Sequence, residues 1–270
     1  MIGVGIGIRK SIYKEIIFDS DAVIYFTAAG ITDYSIKSAI NTFISLLKTN
    51  GLWSKFYFFY PIVDNLAKSS YNLVSPSTYQ VTWVDTPTLS SNSISFNGTT
   101  QYGNTNFSPI AVGGFSMSDL SFGLWDATGF NSRTEIPMGI TENNGAERIR
   151  AVWFNTNNNI LDIMSNDDLT GRVVFSGQAV AFWHFQRSGS TTAVYKNGVS
   201  FGSSGASDIS VIPTNKVFIG ATSNGNAGAN TPALFSQKTY KFFYLAKAFT
   251  DAQLVILNTL INQLNTQLSR

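Results

Sequence analysis

The sequence predicts a mainly β fold, an antiparallel sandwich or jelly roll, with a small helical region before it and one helix closing it. Three observations carry that prediction. From about Ser93 onward, short β-rich runs alternate with clusters of Asn, Gly and Ser. An Asn197-Gly198 pair lies between two such runs, and a two-residue hairpin wants φ > 0 at both of its central positions. A hydrophobic content of 44% over 270 residues is enough to bury a full core.

The chain opens with Gly3, Gly5 and Gly7 alternating with Val4, Ile6 and Ile8. This period of two suits an extended strand with one nearly bare face. Residues 1–19 are therefore expected to form an extended arm. Ile2, Val4, Ile6 and Ile8 are candidate assembly residues that would add a strand to a neighbouring subunit; a local edge strand or a loose tip fits the same pattern. The spacing is not that of a dinucleotide-binding loop.

Residues 20–70 read as helical. Ser20 to Ala29 forms a short first helix, and Asp33 is a plausible N-cap for a second that carries Ile36, Ile40, Phe43 and Leu47 on one face. Gly51 ends it. Leu52 to Pro61, with Trp53, Phe56, Tyr57, Phe59 and Tyr60, reads as an aromatic stretch packing the helices onto the sandwich, or as a partner-binding patch.

Residues 71–270 are assigned to the sandwich. Its runs include Ser93 to Gly98, Phe115 to Trp125, Arg148 to Phe154, Ala179 to Gln186, Thr191 to Gly202, Lys216 to Ala221 and Lys238 to Phe249. A closing helix begins at about residue 250, where Thr250 and Gln253 make a capping-box pattern. Leu254, Leu257, Ile261, Leu264 and Leu268 then follow at spacings of three and four. This seam either docks on its own domain or forms an oligomer contact, so these five are also candidate assembly residues.

Charged residues make up 13% and the net charge is +2, spread along the chain. No basic stripe exists to neutralise phosphates, so nucleic acid is not an expected partner. Cysteine is absent, which removes disulfides, thiol nucleophiles and cysteine-based metal sites. No window approaches the ~20 apolar residues of a membrane helix, so no membrane partner is expected.

Three landmarks resemble concanavalin A-like or laminin-G-type domains. They are SISFNGTTQY (Ser93 to Tyr102), the FWHFQRSGSTTAVYKNGV hairpin (Phe182 to Val199) and the closing YKFFYLAKAFTDAQL (Tyr240 to Leu254). The resemblance covers about Ser93 to the end and implies a concanavalin A-like jelly roll. Upstream, FTAAGITDYSIKSAINTFISLLKTNGLWSKFYFFYPIV (Phe26 to Val63) is similar to a region of tailed-phage virion proteins, including those of crAss-like phages. That similarity implies a structural protein of a virion: a head fibre, capsid decoration or tail appendage. It would be a homo-oligomer contacting other phage structural proteins, with the sandwich turned outward. The other function in view is a lectin-like module for a cell-surface glycan.

Glycosidases occur on this fold, and in the family resembled the acids form a Glu-x-Asp-x-x-Glu pattern that lets two carboxylates flank one sugar bond. None of Glu15, Glu135, Glu142 and Glu147 has an Asp two residues on. A triad would have to use His184, the only histidine, which alternation puts on the face opposite Trp183 and Phe185 and which reads as structural. Zinc lacks ligands. Calcium could draw on Asp162, Asp167, Asp168 and Asn157 to Asn159, although those Asn- and Asp-rich runs read more simply as turns. The expectation is a chain that is not an enzyme and needs no cofactor or metal. For a sugar, the loops Gly129 to Glu135 and Thr222 to Pro232 supply amides but few aromatic platforms.

Overall fold

The structure is a computed structural model that describes residues 17–143, 147–154, 158–164, 171–205 and 211–270. Elements are numbered in chain order. Helix α1 (Ser20–Ala29) is capped by the Asp19 side chain and stopped by Gly30 in the left-handed region at φ 65°. Helix α2 (Tyr34–Thr49) starts where predicted, with Asp33 Oδ1 accepting from Ile36 N at 3.0 Å. Within the span expected to be helical, Phe56–Pro61 instead forms strand β1, followed by a single turn α3 (Leu66–Ser69).

Next come β2 (Thr82–Val84), β3 (Thr88–Ser90), β4 (Ser93–Ser95), β5 (Tyr102–Asn104), β6 (Asp119–Asp126) and β7 (Met138–Glu142). They are followed by β8 (Glu147–Val152), β9 (Asn158–Met164), β10 (Val173–Ser176), β11 (Ala181–Ser188), β12 (Thr191–Lys196) and β13 (Val199–Ser204). The chain continues through β14 (Phe218–Ile219), β15 (Thr222–Asn224), β16 (Thr231–Ala233) and β17 (Thr239–Ala246) to helix α4 (Asp251–Gln267).

These strands make two sheets packed as a sandwich. The first runs β13-β12-β11-β6-β17-β4-β3, with β1 also paired to β17; the second runs β10-β9-β8-β7-β14-β5-β2, with β15 and β16 branching from β7. Pairing is antiparallel apart from a short parallel contact of β15 with β7. Alternation assigns each face. Leu120, Phe122 and Leu124 of β6, and Trp183 and Phe185 of β11, point into the core shared with Ile140, Ile149, Leu161 and Ile163 of the second sheet.

The opposite side of the first sheet is also apolar. Phe59, Phe182, Phe242 and Tyr244 lie there, covered by α1, α2 and α4 in a second core. The helices thus form a third layer, and β1 belongs to both interfaces: Phe58 and Tyr60 face the sandwich, while Phe59 faces the helices. Burial on both faces removes the period-two signal, which is why its sequence shows an aromatic run instead of a strand pattern.

Two glycines are required by close packing. Asn197 (φ 52°) and Gly198 (φ 78°) make the two-residue turn between β12 and β13 as predicted, and a Cβ on Gly198 would meet Asn258 Cβ at 2.9 Å and Leu254 O at 3.0 Å. At Gly123 a Cβ would lie 2.3 Å from Cζ of Tyr244, so a larger residue would displace the ring that crosses that strand.

Candidate functional site

Where β6, β11 and β12 run out beside the start of α4, the first sheet leaves an open bowl of about 440 Å³. Its floor is buried: Gln186, Ala193, Tyr195, Ala248 and Phe249. Exposed around it are Asp119, Ser188, Thr191, Thr250 and Asp251. The strand ends set the side chains. Gln186 and Tyr195 are outward residues of β11 and β12, while Thr250 and Asp251 are fixed by the capping box, in which Thr250 Oγ1 accepts from Gln253 N and Gln253 Oε1 from Thr250 N.

A chain of hydrogen bonds leads into the bowl from the helix–sheet interface. Phe249 N donates to Gln186 Oε1 at 3.0 Å, and the same oxygen lies 3.0 Å from His184 Nε2. Because an amide oxygen only accepts, Nε2 carries the proton and Nδ1 accepts from the Tyr244 hydroxyl. Gln186 Nε2 then donates to the Tyr195 hydroxyl at 3.3 Å, which donates to Asp251 Oδ1 at 2.9 Å. Burial lowers the His184 pKa to about 4, and burial together with the Asp251 hydrogen bond and charge pushes the Tyr195 phenol up to about 12. Both side chains are therefore neutral near pH 7.

The predicted assembly residues fall elsewhere. Leu254, Leu257, Ile261, Leu264 and Leu268 are buried in the helix–sheet core of their own chain. That surface is occupied from within and is not open to a second subunit. Ile2, Val4, Ile6 and Ile8 lie outside the described residues. His184 takes the structural place expected, fully buried on the face opposite Trp183 and Phe185.

Of the proposed calcium donors, Asp162 is taken up by Arg150 Nη2 at 3.1 Å and Arg172 Nε at 2.7 Å. Asp167, Asp168 and Asn157 lie outside the described residues. Among the described residues no group of three or more His, Cys, Asp or Glu is placed to hold a metal ion. None of their helices is long and apolar enough to cross a membrane. Sequence reasoning missed the bowl because its members are scattered along the chain from Asp119 to Asp251, and only the Thr250 capping signal pointed near it.

Two further carboxylate sites are buried. Lys238 Nζ lies 2.7 Å from Asp126 Oδ2 and 3.9 Å from Glu135 Oε1, and it also donates to the Gly129 carbonyl. Burial raises the pKa of both acids against the pull of that ammonium. Glu142 and Glu147 stand across from each other on β7 and β8, and Glu142 accepts from Thr214 N at 2.8 Å and Asn215 N at 2.7 Å.

No family model matches the chain, and no curated protein matches it. Solved structures do share its fold. A Trypanosoma rangeli sialidase in complex with 2,3-difluorosialic acid is 11% identical, with a TM-score of 0.53 over 78% of this chain and 33% of the sialidase chain. The binding domain of botulinum neurotoxin serotype D is 10% identical, with a TM-score of 0.53 over 77% of this chain and 52% of its own. The receptor-binding domain of a botulinum neurotoxin C/D mosaic serotype is 11% identical, with a TM-score of 0.51 over 77% and 51%. The chain therefore spans about a third of the sialidase chains and about half of the toxin domains.

These likenesses are of fold alone. They nevertheless correct the expectation that the chain is not an enzyme, because sialidases are among the proteins that share the fold. The missing Glu-x-Asp-x-x-Glu pattern tests only one arrangement of acids along one strand. Pairs assembled from different strands, as Glu142 and Glu147 are, escape it. No activity follows for this chain from identities of 10–12%.

Proposed function

We propose that the chain is a surface-binding module whose bowl beside α4 takes a carbohydrate. The observation that carries this is the bowl itself: a concave site of about 440 Å³ with two carboxylates, three hydroxyl side chains and a buried aromatic floor. Its size lies within the range of ligand pockets, and its polar groups are the kind that fix hydroxyls. The solved structures of similar fold include toxin domains described as binding and receptor-binding, which supports the surface-binding part of this reading.

Within this reading the sandwich is a concanavalin A-like, laminin-G-type jelly roll, and the particle it serves is a bacteriophage virion, as a head fibre, capsid decoration or tail appendage. The virion assignment rests on the similarity of Phe26 to Val63 to tailed-phage proteins. A glycan array probed with the full chain tests the binding reading. We expect reproducible binding that falls at least tenfold for Thr191→Val combined with Asp251→Asn; silence across the array, or binding indifferent to both changes, refutes it.

A further inference from the structure

We infer that the bowl selects sugars that donate hydrogen bonds, uncharged or amino sugars, and rejects sugars bearing a carboxylate. This rests on the carbohydrate reading and adds to it the ligand's charge. The inference comes from which donors and acceptors the protein has already used.

Asp119 Oδ1 accepts from Ala248 N at 2.9 Å, and Asp251 Oδ1 accepts from the Tyr195 hydroxyl. The second oxygen of each carboxylate accepts nothing from the described residues, so the bowl offers two charged acceptors. The side-chain donors of the floor are committed, while Ser188, Thr191 and Thr250 keep hydroxyls at the exposed rim. The Tyr195 proton goes to Asp251, and the Gln186 amide donates to Tyr195 while its oxygen receives both Phe249 N and His184 Nε2. Every bond in the chain from Tyr244 runs toward Asp251, so reversing the last one would require turning the Gln186 amide against two donors.

Two nearby cations are engaged by the protein itself. Lys55 donates to the Ala248 carbonyl at 2.7 Å and lies 5.3 Å from the centroid of the Phe249 ring. Arg187, between two bowl residues, reaches to the other side of the sheet, where Nη1 donates to Ile163 O at 3.0 Å. A ligand carboxylate would thus meet two like charges, whereas an ammonium or hydroxyl would meet two acceptors.

A matched series tests this: the methyl glycosides of glucose, glucosamine and glucuronic acid, titrated into the full chain at pH 6 by saturation-transfer NMR and calorimetry. The expected order of affinity is glucosamine, then glucose, then glucuronic acid, with about tenfold or more between the first and last. Asp251→Asn and Asp119→Asn each reduce that ratio several-fold. Folding of each variant is checked by its thermal transition. Tightest binding of the glucuronic acid, or a ratio unmoved by either Asp→Asn change, overturns this inference while leaving the carbohydrate reading in place. Failure of all three sugars, together with a silent glycan array, removes that reading and this one with it.

Discussion

The outer face of the first sheet carries Phe59, Phe182, Phe242 and Tyr244, and three helices lie over it; the outer face of the second carries Arg150 of β8 and Asp162 of β9, joined by Arg172 just before β10. Apolar rings must be covered, so the first face recruited a layer of its own. The second satisfies itself sideways: Asp162 is fully buried beneath two guanidinium groups, and Arg150 Nη1 donates on to Thr141 Oγ1 at 2.9 Å. The helices are therefore structural partners of the first sheet, and the bowl opens where this cover stops, at the strand ends beside α4.

The largest test of that contrast is Phe59→Ala. This ring stacks on Phe242 at 5.4 Å and tilts against Phe43 at 5.1 Å, so it joins sheet to helix. Its loss is expected to cost about 4 kcal/mol by denaturant unfolding. A cost under about 1 kcal/mol would show the helical layer to be only loosely attached.

The second test is acid. The folded-state pKa of His184, about 4, lies below its ordinary 6.5 because the ring is buried between helix layer and sheet. Between those values the unfolded chain holds a proton that the folded chain refuses, so this group's contribution is present above pH 6.5 and is lost as pH falls toward 4. At 1.36 kcal/mol per pH unit the loss is about 3 kcal/mol. Denaturant midpoints measured from pH 7 to pH 4 should fall more steeply for the natural chain than for His184→Gln; parallel slopes would mean that the ring takes up its proton without leaving its place.

The smallest effect belongs to the second face. Arg172→Ala removes two hydrogen bonds to Asp162 but leaves it paired with Arg150, and the Arg172 side chain is 22% exposed. About 1.5 kcal/mol is expected from the unfolding transition. A penalty as large as that of Phe59→Ala would erase the distinction between the faces.

Much of the fold was legible because local chemistry wrote it down. Asp33, the Asn197-Gly198 pair and the Thr250–Gln253 box each mark a boundary through their own side chain or backbone freedom, and each is where the structure has it. Strand β1 was not, since neighbours on both sides erase alternation. The leucine seam of α4 was visible but its partner was not: the spacing of Leu254 to Leu268 is the same whether it meets another chain or, as found, the sheet and α2. The bowl was the least readable feature. Asp119, Gln186, Tyr195 and Asp251 become neighbours only through strand order, and no one of them departs from ordinary sandwich sequence.

The position of β17 also governs how the molecule can be made. It pairs with β6 on one edge and with β4 and β1 on the other, and β1 has no other strand partner among the described residues, so β1 has no permanent neighbour until residue 246 has left the ribosome. The aromatic edge at Phe56–Pro61 must therefore wait unpaired through most of synthesis, the kind of strand that sticks to its own kind. Production yield should consequently depend on chaperone supply and growth temperature more than the stability of the finished protein would suggest.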